Sequence, residues 1–261
     1  DGLGSSYLQS YINSNLLPNF KRLQTEGAWT NNARNDYDIT VTLPNHTTQV
    51  TGRGIMGATG HNWTSNTDPA VGQTIQSNKG SYVAGVFDVA HDNGLKTAMF
   101  AGKTKFSLFD TSYNATNGAP DITGVDNGRD KLDRFGIDGT ATQVASAFSA
   151  ANSGSTPYNY SFLHFADPDT AGHASGWGSS AYQSAVVACN TALGQVFTTI
   201  TNNPVMNGHT AVVLTADHGG NGTDHSNVND VLDYTIPFAV WGPGVTAGAD
   251  LYSLNTGVRF D

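Results

Sequence analysis

Apolar and polar positions alternate along this chain in two rhythms. Short apolar runs rich in Val, Phe and Ile, bounded by polar turns, predict strands at "KTAMFAG", "YSFLHFA", "HTAVVLTA" and "YTIPFAVWG", with a shorter one at "AWT". Longer segments with apolar residues three and four apart predict helices. These are Tyr7 to Asn15, "LPNFKRLQTEG" with Pro18 near its start and Gly27 as its stop, and "PNHTTQVTG" opened by Pro44. Further helices are expected in "SYVAGVFDVAHDNG", in "DGTATQVASAFSAAN" capped by Asp138 or Thr140, and in the long "SSAYQSAVVACNTALGQVFTTI". Residues 57–80, rich in Gly, Asn and Ser, read as loop.

Helices and strands alternate through the second half of the chain. That order predicts an α/β fold, a largely parallel sheet covered by helices on both faces. The chain has 261 residues, no internal repeat and no break in composition, so one domain over 1–261 is expected. No apolar run is long enough to span a membrane.

Charge changes the picture of partners. Twelve Lys and Arg against 21 Asp and Glu leave a net −9, which argues against a nucleic-acid polymer as partner. A phosphate substrate stays open, because bound divalent cations outweigh nearby carboxylates. Cys189 is the one cysteine; it lies at helical spacing with Val186 and Leu193 and reads as a packing residue. Few lysines and many Asn, Thr, Ser and Gly suggest an exported protein. Nothing in the sequence sets an oligomeric state.

In open α/β sheets, sites form at the carboxyl ends of strands. "YSFLHFA" is followed by "DPDTAGH", and "HTAVVLTA" by "DHGGNGTDH". Asp169 and His173 are four apart, so one helical turn places both on one face. Asp217 and His218 are adjacent at a strand end, and His225 follows across a loop whose glycines permit close approach. Carboxylate with imidazole suits zinc or a similar divalent ion; the plainer alternative is a helix cap beside a solvated neighbour. By the same rule the opening "DG" belongs after a strand, so the chain is expected to lack its first strand, and at "GVRFD" a closing C-terminal element.

A nucleophile is sought in "TVTLPNHTTQVTG". A hydroxyl just ahead of a Pro-opened helix sits where backbone N–H groups and the positive helix end favour an anion. Thr42 has that place; Thr40 and Thr47 compete, and spacing alone removes neither. A threonine there also suits an N-cap.

Taken in order, "DGL", "LPNFKRLQTEG", "TLPNHTTQVTG", "PDTAGH" and "TADHGG" with its later "DH" resemble the alkaline phosphatase superfamily. Within it they look most like the nucleotide pyrophosphatase/phosphodiesterase branch, whose nucleophile is a Thr ahead of Phe/Leu-Pro-Asn-His. The resemblance implies a three-layer α/β/α sandwich and two divalent metal ions, of which zinc best suits the donors. One ion would be held by Asp169, His173 and His225. The other would be held by Asp1, Asp217 and His218, with Thr42 on its open position. Asn62 would hydrogen-bond a phosphoryl oxygen. The substrate implied is a small phosphate ester, a diester or pyrophosphate first. A phosphomonoesterase, a phosphonate hydrolase and a non-catalytic metal- or phosphate-binding module are the alternatives. No Cys/Ser-x-Pro-x-Arg segment marks a sulfatase.

Other conspicuous residues have plainer readings. His46 and His164 read as hydrogen-bonded core histidines, and His91 and His209 as surface residues. Lys103 and Lys105, after "KTAMFA", read as a solvated loop, with contact to a phosphate as the alternative. His61, Trp63 and Trp177 divide between packing and substrate contact.

Overall fold

The computed structural model describes residues 1–36, 38–121 and 128–254. Helices α1 (Ser5–Asn13) and α2 (Pro18–Glu26) come first; Pro18 starts the second and Gly27 ends it, as their types predict. Strand β1 (Ala28–Arg34) leads to α3 (Thr42–Thr51), then α4 (Ile75–Lys79) and α5 (Val86–Asp92). Strand β2 (Thr97–Ala101), α6 (Ser107–Tyr113), β3 (Arg134–Ile137) and α7 (Ala141–Ala151) follow. The rest is β4 (Tyr160–Leu163), α8 (Asp167–Ser175), α9 (Ser180–Asn202), β5 (Val212–Thr215), α10 (Val231–Tyr234), β6 (Thr235–Trp241) and α11 (Leu251–Leu254).

Several boundaries depart from the pattern. α3 begins two residues before Pro44, so Thr42 is its first residue rather than the one ahead of it. α4 interrupts the expected loop, nucleated by a capping box in which Thr74 and Ser77 exchange hydrogen bonds. The helix in "SYVAGVFDVAHDNG" is shorter than its apolar spacing suggested, starting only after Gly85. Thr140, not Asp138, caps α7. The segment "GVRFD" lies outside the described residues.

β2 pairs in parallel with β3 on one side and β4 on the other. Its residues alternate between two cores. Ala98 and Phe100 pack with Val144 and Phe148 of α7 and with α9; Met99 and Ala101 pack with Leu43 and Val50 of α3, Phe87 of α5 and Phe109 of α6. Helices therefore cover both faces, which is why β2 reads as a continuous apolar run. The second ladder, β1-β6-β5, is antiparallel. Pro237 lacks an N–H, and β1 bulges at Asn31–Asn32 where that donor would be needed.

β4 and β5 both end at the same place, and no ladder joins them. A cavity of about 500 Å³ separates their facing edges. Among the described residues no helix is long and apolar enough to cross a membrane.

Candidate metal centre

Side chains from α8, the end of β5, the loop after it, the start of α3 and the first residue of the chain meet beyond β4 and β5. α8 starts three residues after His164 and carries Asp169 in its first turn and His173 in its last. Asp217 and His218 follow β5 directly, with the Asp217 carbonyl held by Asn35 Nδ2 at 3.1 Å. The loop after them folds back so that the His218 and His225 rings stack with centroids 3.6 Å apart. Thr42 enters at the start of α3, which Gln49 Nε2 ties to the Ala216 carbonyl beside β5 at 3.0 Å. Gly2 has φ +68°, and a Cβ there would lie 2.8 Å from Asp169 Cα, so only glycine lets Asp1 sit this close to α8.

The carboxylates are arranged alike. In each, one oxygen is engaged and the other is buried without a hydrogen-bond partner. Asp1 Oδ2 faces His164 Nε2 at 2.8 Å and Lys103 Nζ at 2.9 Å, while Oδ1 has none. Asp169 Oδ2 accepts from Lys103 at 2.5 Å, leaving Oδ1; Asp217 Oδ1 accepts from the Gly2 N–H at 3.0 Å, leaving Oδ2. Orphaned buried carboxylate oxygens are costly and call for a cation.

The histidines complete the set. Nδ1 of His173, His218 and His225 lies 3.0, 2.8 and 2.8 Å from the carbonyls of Thr223, Gly219 and Thr40. A carbonyl only accepts, so in each neutral ring the proton is on Nδ1 and Nε2 keeps its lone pair. Those lone pairs converge. His225 Nε2 is 3.1 Å from His173 Nε2 and 3.6 Å from Asp169 Oδ1; His218 Nε2 is 3.1 Å from Asp217 Oδ2 and 3.5 Å from Asp1 Oδ1. Bare nitrogens facing one another and facing carboxylates repel unless positive charge lies between them. Two groupings able to hold an ion emerge, Asp169 with His218 and His225, and Asp1 with Asp217 and His218. His173 stands at the rim of the first, 3.4 Å from Asp169 Oδ1, and is half exposed at 46%. The donor set of carboxylate oxygen and imidazole nitrogen fits zinc.

Electrostatics keep these groups in the form a cation needs. Burial pushes His225 down to about 4. Burial alone would raise Asp169, but Lys103 outweighs it and the carboxyl lies below its ordinary range. Asp217 is likewise held well below that range against its burial, the N-terminal ammonium of Asp1 being among the charges that lower it.

The three threonines part company. Thr40 Oγ1 donates to the His225 carbonyl at 2.6 Å and Thr47 Oγ1 to the Leu43 carbonyl at 2.8 Å. Thr42 Oγ1 instead faces His218 Nε2 at 3.4 Å, beside both groupings. Asn62 is not brought to Thr42. Its φ is +58°, and its side-chain amide is satisfied within its own loop, the nitrogen toward Ile55 O and Gly57 O and the oxygen toward Lys79 Nζ. Asn66 lies at the head of α3 instead, accepting from the Leu43 N–H at 2.9 Å and from Lys105 Nζ at 3.2 Å.

Lys103 was read as a loop residue and is instead pinned between Asp1 and Asp169. Its signal was present: it follows the carboxyl end of β2, the same rule that selected the other ligands. His164 is buried, accepts the Gly102 N–H on Nδ1 at 3.1 Å, and so donates from Nε2 to Asp1. His46 is likewise buried, its Nδ1 donating to the Thr42 carbonyl at 2.9 Å, and lies 3.4 Å from Asp217 Oδ2. His61 is a packing residue, its Nδ1 accepting the Trp63 N–H. Trp177 walls the centre, its ring 5.2 Å from that of His173 and 5.8 Å from that of His225, and its Nε1 donating to Gly2 O.

Solved structures that share this arrangement of elements include a member of the alkaline phosphatase superfamily. A superfamily protein from Vibrio parahaemolyticus is 16% identical with a TM-score of 0.61, over 95% of this chain and 60% of that one. Murine ectonucleotide pyrophosphatase/phosphodiesterase 5, in an inactive form with AMP, is 18% identical with a TM-score of 0.57, over 84% of this chain and 55% of that one. Phosphonoacetate hydrolase from Sinorhizobium meliloti 1021, with phosphonoformate, is 17% identical with a TM-score of 0.52, over 84% of this chain and 54% of that one. The fold is thus the α/β sandwich of that superfamily. Across residues 1–251 the chain matches the type I phosphodiesterase/nucleotide pyrophosphatase family, and it belongs to that family. It spans little more than half the length of the murine enzyme and of the phosphonoacetate hydrolase. No curated protein matches it.

Proposed function

We propose that this chain is the catalytic core of a two-metal hydrolase of phosphate esters, acting first on diesters or pyrophosphates. The observation that carries the reading is the set of lone pairs around Thr42: three orphaned carboxylate oxygens and the bare nitrogens of buried His218 and His225, with that of His173 at the rim. Asp1, Asp217 and His218 would hold one divalent ion, Asp169, His173 and His225 the other, with zinc favoured by the donors. Such a pair supplies Lewis-acid stabilisation of the attacking and departing oxygens.

The chain's own residues do the rest. Thr42 Oγ1 attacks phosphorus in line with the departing alcohol or phosphate, its proton passing to solvent water, which in turn protonates the departing oxygen. The P–O bond to the leaving group breaks as the Thr42 ester forms; water then cleaves that ester and frees the hydroxyl. The start of α3 directs N–H groups toward the phosphoryl oxygens. Asn66 and Lys105, joined to each other and to the Leu43 N–H, take the anion-binding place expected of Asn62. His46 and His164 fix Thr42 and Asp1 by hydrogen bonds.

A panel of a chromogenic aryl phosphodiester, the matching monoester, a dinucleoside pyrophosphate and a phosphonate tests the reading, with and without chelator. Chelator-sensitive turnover of the diester, lost in Thr42→Ala with zinc content retained, is expected. Zinc binding with no turnover of any member would leave a metal-binding module. Faster turnover of the monoester or phosphonate would move the substrate assignment within the superfamily.

A further inference from the structure

Close packing against Asp169 demands glycine at position 2, yet glycine is also the least constrained residue a chain can place beside a ligand. With no side chain to anchor it, Gly2 can be held only through its backbone groups. Two buried aromatic residues, Trp177 in the α8–α9 connection and Tyr182 in α9, take its carbonyl. Trp177 Nε1 donates to Gly2 O at 2.8 Å and Tyr182 Oη at 2.9 Å, so both lone pairs of that oxygen are filled. Tyr182 Oη also accepts the Gly4 N–H at 3.1 Å. An amide N–H only donates, so the phenolic proton is committed to Gly2 O and the hydroxyl has one orientation. On its other side Gly2 donates its own N–H to Asp217 Oδ1 at 3.0 Å, which leaves Asp217 Oδ2 facing His218 Nε2 at 3.1 Å.

We infer that Tyr182 and Trp177 are positioning residues for the ion of Asp1, Asp217 and His218: by fixing Gly2 they set the aim of both carboxylates. The inference rests on the two-metal reading. Both carboxylates of that grouping turn on this one residue, Asp1 by covalent attachment and Asp217 by a hydrogen bond. Asp169, His173 and His225 are tied elsewhere, to Lys103 and to the carbonyls of Thr223 and Thr40.

The two aromatic residues differ in reach. Tyr182 packs its ring against those of Tyr7 and Trp177, with centroids 5.6 and 6.1 Å away, and spends its hydroxyl on Gly2 and Gly4. Trp177 also lies beside the rings of His173 and His225, so it faces both groupings.

Zinc titration against a competing fluorescent chelator tests this on the 261-residue chain, where two binding steps are expected. Tyr182→Phe keeps the ring and removes the hydroxyl. It should weaken one step about 10- to 100-fold, the range for groups that orient ligands from behind, and leave the other at the parent value. Tyr11→Phe is the control. Its hydroxyl is buried without a partner, on a ring 6.5 Å from that of Tyr182, and its loss should move neither step. Trp177→Phe removes the other donor together with the wall beside His173 and His225, and should weaken both steps. Circular dichroism in chelator checks that each variant is folded. Two unchanged steps in Tyr182→Phe, equal loss of both, or the same selective loss in Tyr11→Phe would overturn the inference. So would two unchanged steps in Trp177→Phe, which decides the matter if Tyr182→Phe does not fold. A parent chain that takes up fewer than two zinc ions would sink the two-metal reading itself, and the inference with it.

Discussion

Asp1 is held from three sides, by His164, by Lys103 and by its own backbone nitrogen on Phe165 O. The His164 bond leaves Oδ1 aimed at Asp217 and His218. Replacing it with an apolar ring of similar shape, His164→Phe, keeps the packing against Phe106, 4.0 Å away between centroids, and removes the donor. Zinc affinity should fall about 10- to 100-fold, as for other residues that orient ligands from behind; competition with a fluorescent chelator measures it. Thr42→Ala acts differently: turnover should vanish while zinc stoichiometry stays at the parent value, as metal analysis of the purified protein would verify. At this scale the acids and histidines were legible, because strand-end position and chemistry coincide in them. The placement of Asn66 and Lys103 was not, since it depends on which way a loop turns.

At the scale of elements, the loop from Gly219 to His225 is pressed against Trp177 of the α8–α9 connection. A Cβ on Gly220 would stand 2.2 Å from the Trp177 ring, and one on Gly172 2.6 Å from it. Gly220→Ala should therefore cost about 1–3 kcal/mol by overpacking and shift His225 away from Asp169. Thermal unfolding and zinc titration of the same variant would separate the two effects. The glycines of "DHGGNG" were read as permitting close approach, and Gly220 does so against an indole rather than against the ion. The start of α3 was misread by two residues because Pro44 suits any position in the first turn.

Across the whole molecule, three buried histidines are kept neutral. Burial pushes His46 and His225 down to about 4 and His164 well below its ordinary value. The unfolded chain thus binds more protons than the folded one between about pH 4 and 6.5, so stability rises with pH there. The metal-free protein should lose stability as pH falls through that window, by up to about 1.4 kcal/mol per pH unit for each fully linked histidine. Melting curves at pH 7 and pH 5 in chelator would register it. At pH 7, zinc at about 100 times its Kd should add about 2.7 kcal/mol, lost again on chelation.

From the sequence alone came the α/β class, the helices around Pro18 and Thr140, and the identity of nearly every donor near Thr42. These follow from local rules: apolar period, capping chemistry, and polar residues just past buried strands. Only the folded chain decided which threonine hydroxyl faces His218, which oxygen of each carboxylate is left over, and which asparagine meets α3. Each of these depends on contacts between residues far apart in the chain, where chain connectivity restricts the pairing little and packing selects it.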